Sequence, residues 1–249
     1  MIIVLLTILG LILGSFINAI VWRLRSGESI THGRSMCPNC KHQLSAPDLI
    51  PVLSWVALRG RCRYCHKPYG PHYVLVELMT AGLFALSGLT LSALGPVVFT
   101  LWLAILVLAL ILALYDAQWY ELPNRVMHPA LVLAAVYFVL RFEAAGGLLQ
   151  LFAALVAAAV FYAMWWLSHG ALMGGADSKL VLLMGLILAP DLLVVALALG
   201  FLFGGFGAAY LLYGKKKGMR DQMPFGPYLV GGLILAQFLG SELVRLLGL

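Results

Sequence analysis

Two aspartates, Asp116 and Asp177, stand where long apolar stretches meet polar turns. Asp116 closes an apolar run and is followed by Ala-Gln-Trp-Tyr-Glu-Leu-Pro123-Asn124-Arg125, so a helix carrying it must stop where Pro123 and the polar cluster force a turn. Asp177 lies in Met173-Gly174-Gly175-Ala176-Asp177-Ser178-Lys179, whose small residues permit close backbone approach by a substrate or a neighbouring helix. An ionisable residue at a membrane boundary is a functional candidate by default. Two carboxylates on one side of a membrane permit aspartic-protease chemistry. Close like charges cannot both ionise, so one carboxyl keeps a proton to polarise the scissile carbonyl while the other activates water. The same residues also fit two unrelated helix caps or salt bridges with Lys179 and Arg125, and spacing alone leaves both readings open.

A second constellation is Cys37-Pro-Asn-Cys40 and Cys62-Arg-Tyr-Cys65, two Cys-x-x-Cys knuckles separated by 21 residues and holding all four cysteines of the chain. Two close thiolate pairs offer tetrahedral sulfur coordination, so the array reads as a structural zinc site that supplies folding energy to a small loop. Two disulfides or free thiols are the other options, the disulfides disfavoured if the loop lies in a reducing compartment. His42 and His66 flank the knuckles and read as solvated neighbours. Four thiolates leave no open coordination position, which argues against metal-catalysed proteolysis.

The elements that must position these groups are membrane helices. The 249 residues are 63% hydrophobic and 10% charged, with a mean hydropathy of +0.99, far from the composition of a soluble globule. A span needs about 20 apolar residues. The chain offers eight such stretches, Ile2–Trp22, Tyr73–Leu94, Pro96–Tyr115, Met127–Leu140, Gly147–Leu167, Ser178–Ala189, Leu192–Tyr213 and Tyr228–Leu247. The sixth is short and only Ala189-Pro190-Asp191 parts it from the seventh, so seven spans also fit. The first lacks a basic region before it and reads as a retained span. The expected fold is an all-α polytopic membrane protein of about eight transmembrane helices, with a small zinc-ribbon-like loop after the first.

Of 16 lysines and arginines, eight fall between Arg23 and Lys67. Placing that stretch in the cytoplasm puts Arg125, Lys179, Lys215, Lys216, Lys217 and Arg220 there too, leaving Arg141 and Arg245 outside. The amino terminus then faces outward and both aspartate turns emerge on the cytoplasmic side. The net charge of +6 is a topology signal toward the lipid bilayer and its anionic headgroups. Its basic residues form no continuous surface, which argues against a nucleic-acid partner.

Gly14-Ser15-Phe16-Ile17-Asn18 and Arg23-Leu24 close the first apolar stretch, and Glu77 sits about one turn inside the second. Small residues there fit close helix packing, whereas Asn18 and Glu77 are polar groups that need a partner or a task. Gly200 to Gly207 is glycine-rich but lies in an apolar span and reads as helix packing, not phosphate binding. His128 and His169 lie near the aspartate turns and read as structural. Pro224-Phe225-Gly226-Pro227 re-aims the chain into the last helix.

In order along the chain, Gly14-Ser15-Phe16 with Asn18 and Arg23-Leu24, the paired cysteines, Ile50-Pro51 with Ser54-Trp55, Leu58-Arg59-Gly60-Arg61-Cys62, Glu77-Leu78, Asp116 with Leu122-Pro123, Asp177 with Lys179-Leu180, and Pro224 to Tyr228 together resemble the type IV prepilin peptidases. These are the bifunctional leader peptidases and N-methyltransferases of bacterial pilus and type II secretion systems, membrane aspartic peptidases of family A24.

The resemblance implies a catalytic pair Asp116 and Asp177, zinc on Cys37, Cys40, Cys62 and Cys65, and S-adenosylmethionine as methyl donor, with Asn18, Arg23 and Glu77 as candidates for its site. It implies prepilin and pseudopilin substrates, cut at the cytoplasmic face of the bacterial inner membrane after a glycine ending a short basic leader. The new N-terminal residue, often phenylalanine, is then N-methylated. It divides the chain at 1–94, methyltransferase-associated with the loop at about 23–72, and 95–249, the peptidase.

Ala176 stands where the family has glycine, Asn124 where it often has aspartate, and Arg25 where it often has proline; none removes a catalytic group. Two readings from other classes use the same residues: a zinc-stabilised membrane scaffold or export factor, and a transporter with carboxylates in an ion path.

Overall fold

A computed structural model describes residues 1–29, 33–170, 173–213 and 223–247. The basic cluster of Lys215, Lys216, Lys217 and Arg220 lies outside the described residues. Among the described residues the regular elements are all helices, and two compact units divide the chain, Met1–Phe99 and Thr100–Leu249.

In the first unit, α1 (Ile2–Ser26) packs against α3 (His72–Thr90). Gly10 and Gly14 make the approach close: a Cβ on Gly10 would lie 2.7 Å from the Ala81 Cα, and one on Gly14 2.6 Å from the Glu77 Cα. Small residues four apart on one face bring two helix backbones together in this way, which is the packing role expected for Gly14. Between the two helices runs a loop of two knuckles and a short helix α2 (Leu53–Ala57). Polar side chains of the helices tie it down. Asn18 Nδ2 donates to the Tyr73 carbonyl at 3.0 Å, Arg23 Nη2 donates to the Gly33 carbonyl at 2.9 Å, and the Val52 N–H donates to Glu77 Oε2 at 2.7 Å.

The second unit holds α4 (Pro96–Trp119) from Thr100 onward, α5 (Asn124–Leu140), α6 (Ala144–Leu167), α7 (Asp177–Ile187), α8 (Pro190–Tyr213) and α9 (Gly226–Leu247). α8 and α9 pair closely, with Gly232 against the Ala196 carbonyl. α7 is the inner element: it packs on α5, α6 and α9, and nine of its 11 residues are buried. A Cβ on Gly185 would meet the Ala154 Cα of α6 at 2.7 Å.

The eight apolar stretches do not all become long helices. Among the described residues five are long and apolar enough to cross a bilayer: α1, α3, α4, α6 and α8. α5 has 17 residues, and of the 22-residue α9 the stretch Gly226–Gly240 is described as a shorter apolar helix. The 11 residues of α7 rise about 16 Å, roughly half a hydrocarbon core. Leu188 is extended, and α8 starts at Pro190, which cannot continue the preceding helix.

A helix that ends inside a packed bundle leaves carbonyls that need partners. Gln150 of α6 supplies them: its Nε2 donates at 3.1 Å to both the Gly185 and Leu186 carbonyls. Gln150→Leu keeps the volume and removes both donors. It should lower stability by about 1–3 kcal/mol per orphaned carbonyl, read as a lower midpoint of thermal unfolding in detergent.

Candidate active site

Asp116 occupies the last turn of α4 and Asp177 the first position of α7. α4 stops because Pro123 excludes a helical conformation for Leu122 and Tyr120 turns to φ 61°. Both carboxylates are enclosed, 5% and 6% exposed, and they are close enough that the charge of Asp116 acts on Asp177. Each is held by a glycine amide. The Gly226 N–H, at the start of α9, donates to Asp116 Oδ2 at 2.8 Å, and the Gly174 N–H donates to Asp177 Oδ2 at 3.0 Å. The N-terminal end of α9, with its partial positive charge, thus faces the Asp116 carboxylate.

Lys179, an alternative partner read from the sequence, instead donates to Asn124 Oδ1 at 2.9 Å. Among the described residues neither aspartate forms an ion pair. His128 and His169 are exposed.

In the sequence Gly226 stood in the Pro224 to Tyr228 motif and in a chain reversal, with no role of its own. Its contribution is a backbone N–H, which leaves no trace in residue type. The approach also demands glycine: a Cβ there would lie 2.8 Å from Asp116 Oδ2 and 3.2 Å from its Cγ. Gly226→Ala should displace the Asp116 carboxylate and lower turnover by about 100-fold, with little change in substrate affinity; a steady-state kcat and KM comparison checks this.

The four cysteine Sγ atoms lie within 4.8 Å of one another, and Cys37 and Cys65 are 3.9 Å apart. A tetrahedron of Zn–S bonds of about 2.3 Å has sulfurs about 3.8 Å apart, so the cluster fits zinc. The two knuckles repeat one geometry. The Cys37 N–H donates to the His42 carbonyl and the Cys62 N–H to the Lys67 carbonyl, both at 2.9 Å, and Lys41 and His66 take φ of 59° and 55°. Burial raises the Cys37 thiol, but amide hydrogen bonds from Cys40 and Asn39 and the Tyr69 hydroxyl outweigh it and bring the pKa down to about 6. Neither histidine joins the cluster: the His42 ring instead packs on Tyr64, centroids 3.6 Å apart.

Beside the cluster, within the same unit, is a cavity of about 150 Å³. It brings together Asn18, Arg23 and Glu77. Met36 and Pro38, flanking Cys37, and Arg61 and Arg63, flanking Cys62, form part of its wall. Asp48 secures that wall by pairing with Arg63 Nε at 2.7 Å while accepting from the Ser45 hydroxyl at 2.6 Å. Tyr69 links cluster and cavity, lining the cavity while its hydroxyl lies against the sulfurs of Cys37 and Cys62. Its role had no signal in the sequence beyond an aromatic residue after the second knuckle.

Residues 8–91 match the family described as the bacterial peptidase A24 N-terminal domain, and residues 102–209 match the type IV leader peptidase family. Over 246 residues the chain is 34% identical to a prepilin leader peptidase/N-methyltransferase of Bacillus subtilis, covering 96% of this chain and 95% of that one. Proteins of the same name from Aeromonas hydrophila and Burkholderia pseudomallei are 32% and 30% identical, covering 85% and 97% of this chain and 73% and 86% of theirs. No solved structure matches the chain. Relatives of this similarity across both units leave one assignment for a multi-pass helical chain with this cysteine cluster: it belongs to the prepilin leader peptidase/N-methyltransferase family.

Proposed function

We propose that the protein removes the basic leader of type IV prepilins and pseudopilins with Asp116 and Asp177 and then N-methylates the new terminus. The observation that carries the cleavage reading is the pair of enclosed carboxylates in one compact unit, each fixed by one glycine N–H. One shared proton serves such a pair. The ionised carboxylate takes a proton from a water as it attacks the scissile carbonyl, and the protonated one donates to the carbonyl oxygen; the proton balance then reverses as the amine leaves. The proton belongs to the pair. Amide donors from Gly174 and Gly226 keep the carboxylates oriented without neutralising them, as a lysine or arginine partner would.

The cavity beside the cysteine cluster is the proposed site of methyl transfer, with S-adenosylmethionine supplying an electrophilic methyl group. Asn18, Arg23 and Glu77 are the polar side chains this reading places around donor and acceptor. Cys37, Cys40, Cys62 and Cys65 would hold zinc, which organises the loop. The bundle lies in the bacterial inner membrane with its amino terminus outside and both sites at the cytoplasmic face, where the substrate leader is basic and the loop is reduced. In this reading α5, α7 and α9 complete an eight-helix arrangement in the bilayer.

Mass spectrometry of a prepilin incubated in detergent with the purified protein and S-adenosylmethionine tests both steps. Loss of the leader together with gain of one methyl group is expected. An intact prepilin beside a well-folded protein would favour a scaffold that binds without cutting.

A further inference from the structure

Glu77 is a buried carboxylate, 7% exposed, in the wall of the cavity. Its hydrogen-bond donor is neutral, the Val52 N–H at 2.7 Å, and the uncharged Ser15 lines the cavity with it. Among the described residues no cation pairs with it. Of the four arginines of the same cavity, three are held elsewhere, and Arg61 forms no ion pair among the described residues. Arg63 is paired with Asp48, Arg23 donates to the Gly33 carbonyl, and Arg34 donates to the Gln43 side chain. The other carboxylate of the cavity, Asp48, has both oxygens engaged, by Arg63 and by Ser45. Glu77 is therefore the cavity carboxylate left for a positively charged ligand, and an enclosed carboxylate without a cation favours one.

Two cationic centres belong to the proposed reaction, the sulfonium of the methyl donor and the N-terminal ammonium of the cleaved substrate. Their chemical needs differ. A sulfonium requires no proton acceptor, whereas an α-ammonium, with a pKa of about 8, is mostly protonated at neutral pH and has no lone pair to attack with. We propose that Glu77 receives the N-terminal ammonium of the cleaved substrate and accepts its proton. The freed nitrogen lone pair then forms the N–CH3 bond as the S–CH3 bond breaks, its electron pair passing to sulfur, which becomes a neutral thioether. The product leaves as a methylammonium and the proton on Glu77 passes to solvent. This rests on the methyl-transfer reading of the first unit and makes Glu77 a catalytic residue for the amine, not a ligand of the donor.

A purely structural role is the competing explanation, because Glu77 also fixes Val52 at φ 61°, a conformation rare for a β-branched residue. Glu77→Gln separates the two. The amide oxygen still accepts the Val52 N–H, but the charge and the proton acceptor are gone. The full-length variant in detergent, given prepilin and S-adenosylmethionine, should still release the leader. It should bind S-adenosylmethionine by calorimetric titration within about threefold of wild type, yet methylate at least about 100-fold more slowly, so that unmethylated mature substrate accumulates in the mass spectrum. Methylation within about threefold of wild type would overturn the proposal, as would loss of donor binding, which would assign Glu77 to the donor. Val52→Gly added to Glu77→Gln provides the second control, because glycine adopts positive φ without strain. Methylation that stays lost in the double variant supports the proposal, and its rescue overturns it. A wild-type protein that cleaves but neither methylates nor binds the donor would overturn the methyl-transfer reading itself, an outcome distinct from any variant result.

Discussion

Asp116→Asn and Asp177→Asn are each expected to lower leader removal by about 1,000-fold or more, while prepilin binding, measured by fluorescence anisotropy of a labelled substrate, stays near wild type. Asparagine is nearly isosteric and its carbonyl oxygen can still accept the Gly226 or Gly174 N–H, so the helix ends should hold their places. What disappears is the ability to take or share a proton. Because the two groups act as one acid-base unit, the double variant should be scarcely worse than either single variant; groups that work together lose their effect together. Independent losses that multiply, or a single aspartate whose replacement is harmless, would break the pairing. A transporter would show a third pattern, loss of flux with no cleavage to lose.

The second large effect concerns the cysteines. Cys62→Ser, or prolonged chelation of the wild-type protein, should abolish donor binding and methyl transfer and lower the thermal stability of the first unit. Met36, Pro38, Arg61 and Arg63 hold their places in the cavity wall as neighbours of Cys37 and Cys62, and Tyr69 rests on the sulfurs of those two residues. In small zinc-folded peptides, metal binding contributes on the order of 10–16 kcal/mol, most of the folding free energy. A loop with so little apolar core of its own should therefore lose its shape with the metal. The aspartates belong to the other compact unit, so leader removal should continue at a measurable rate. Calorimetric titration of S-adenosylmethionine and mass spectrometry of the processed substrate read the two effects separately. Prompt and fully reversible inhibition of cleavage on chelation would contradict an organising role for the metal.

The aspartates and cysteines stood out in the sequence as candidates because their chemistry lies in residue type. A carboxylate ending an apolar run is expensive, and four thiols in two close pairs have few uses. Gly226 and Gly174 act through backbone amides that any residue other than proline possesses, so nothing in their identity announced a hydrogen bond to a carboxylate. Hydropathy could not tell a full span from a short buried helix for a related reason. An apolar stretch looks the same whether it faces lipid or is buried by neighbouring helices, and α7 is buried on nearly all sides. Its signals were local: the Ala189-Pro190-Asp191 turn after it, and Gln150 standing in the otherwise apolar α6. The gathering of Asn18, Arg23 and Glu77 depends on the close approach of α1 and α3 at Gly10 and Gly14, a tertiary fact that residue spacing does not contain.

The shortness of α7 also bears on how the enzyme comes into being. A helix rising about half the depth of the hydrocarbon core, with terminal carbonyls that rely on Gln150, gains little from entering lipid alone. During synthesis it must wait for a partner, and α6, which carries Gln150, emerges from the ribosome just before it. Asp177 is the first residue of this late-settling helix, and the amide that steadies Asp116 belongs to α9, the last helix of the chain. On the proposed reading of Asp116 and Asp177 as the catalytic pair, proteolytic capacity would arise only once α9 has packed and its Gly226 N–H has reached Asp116.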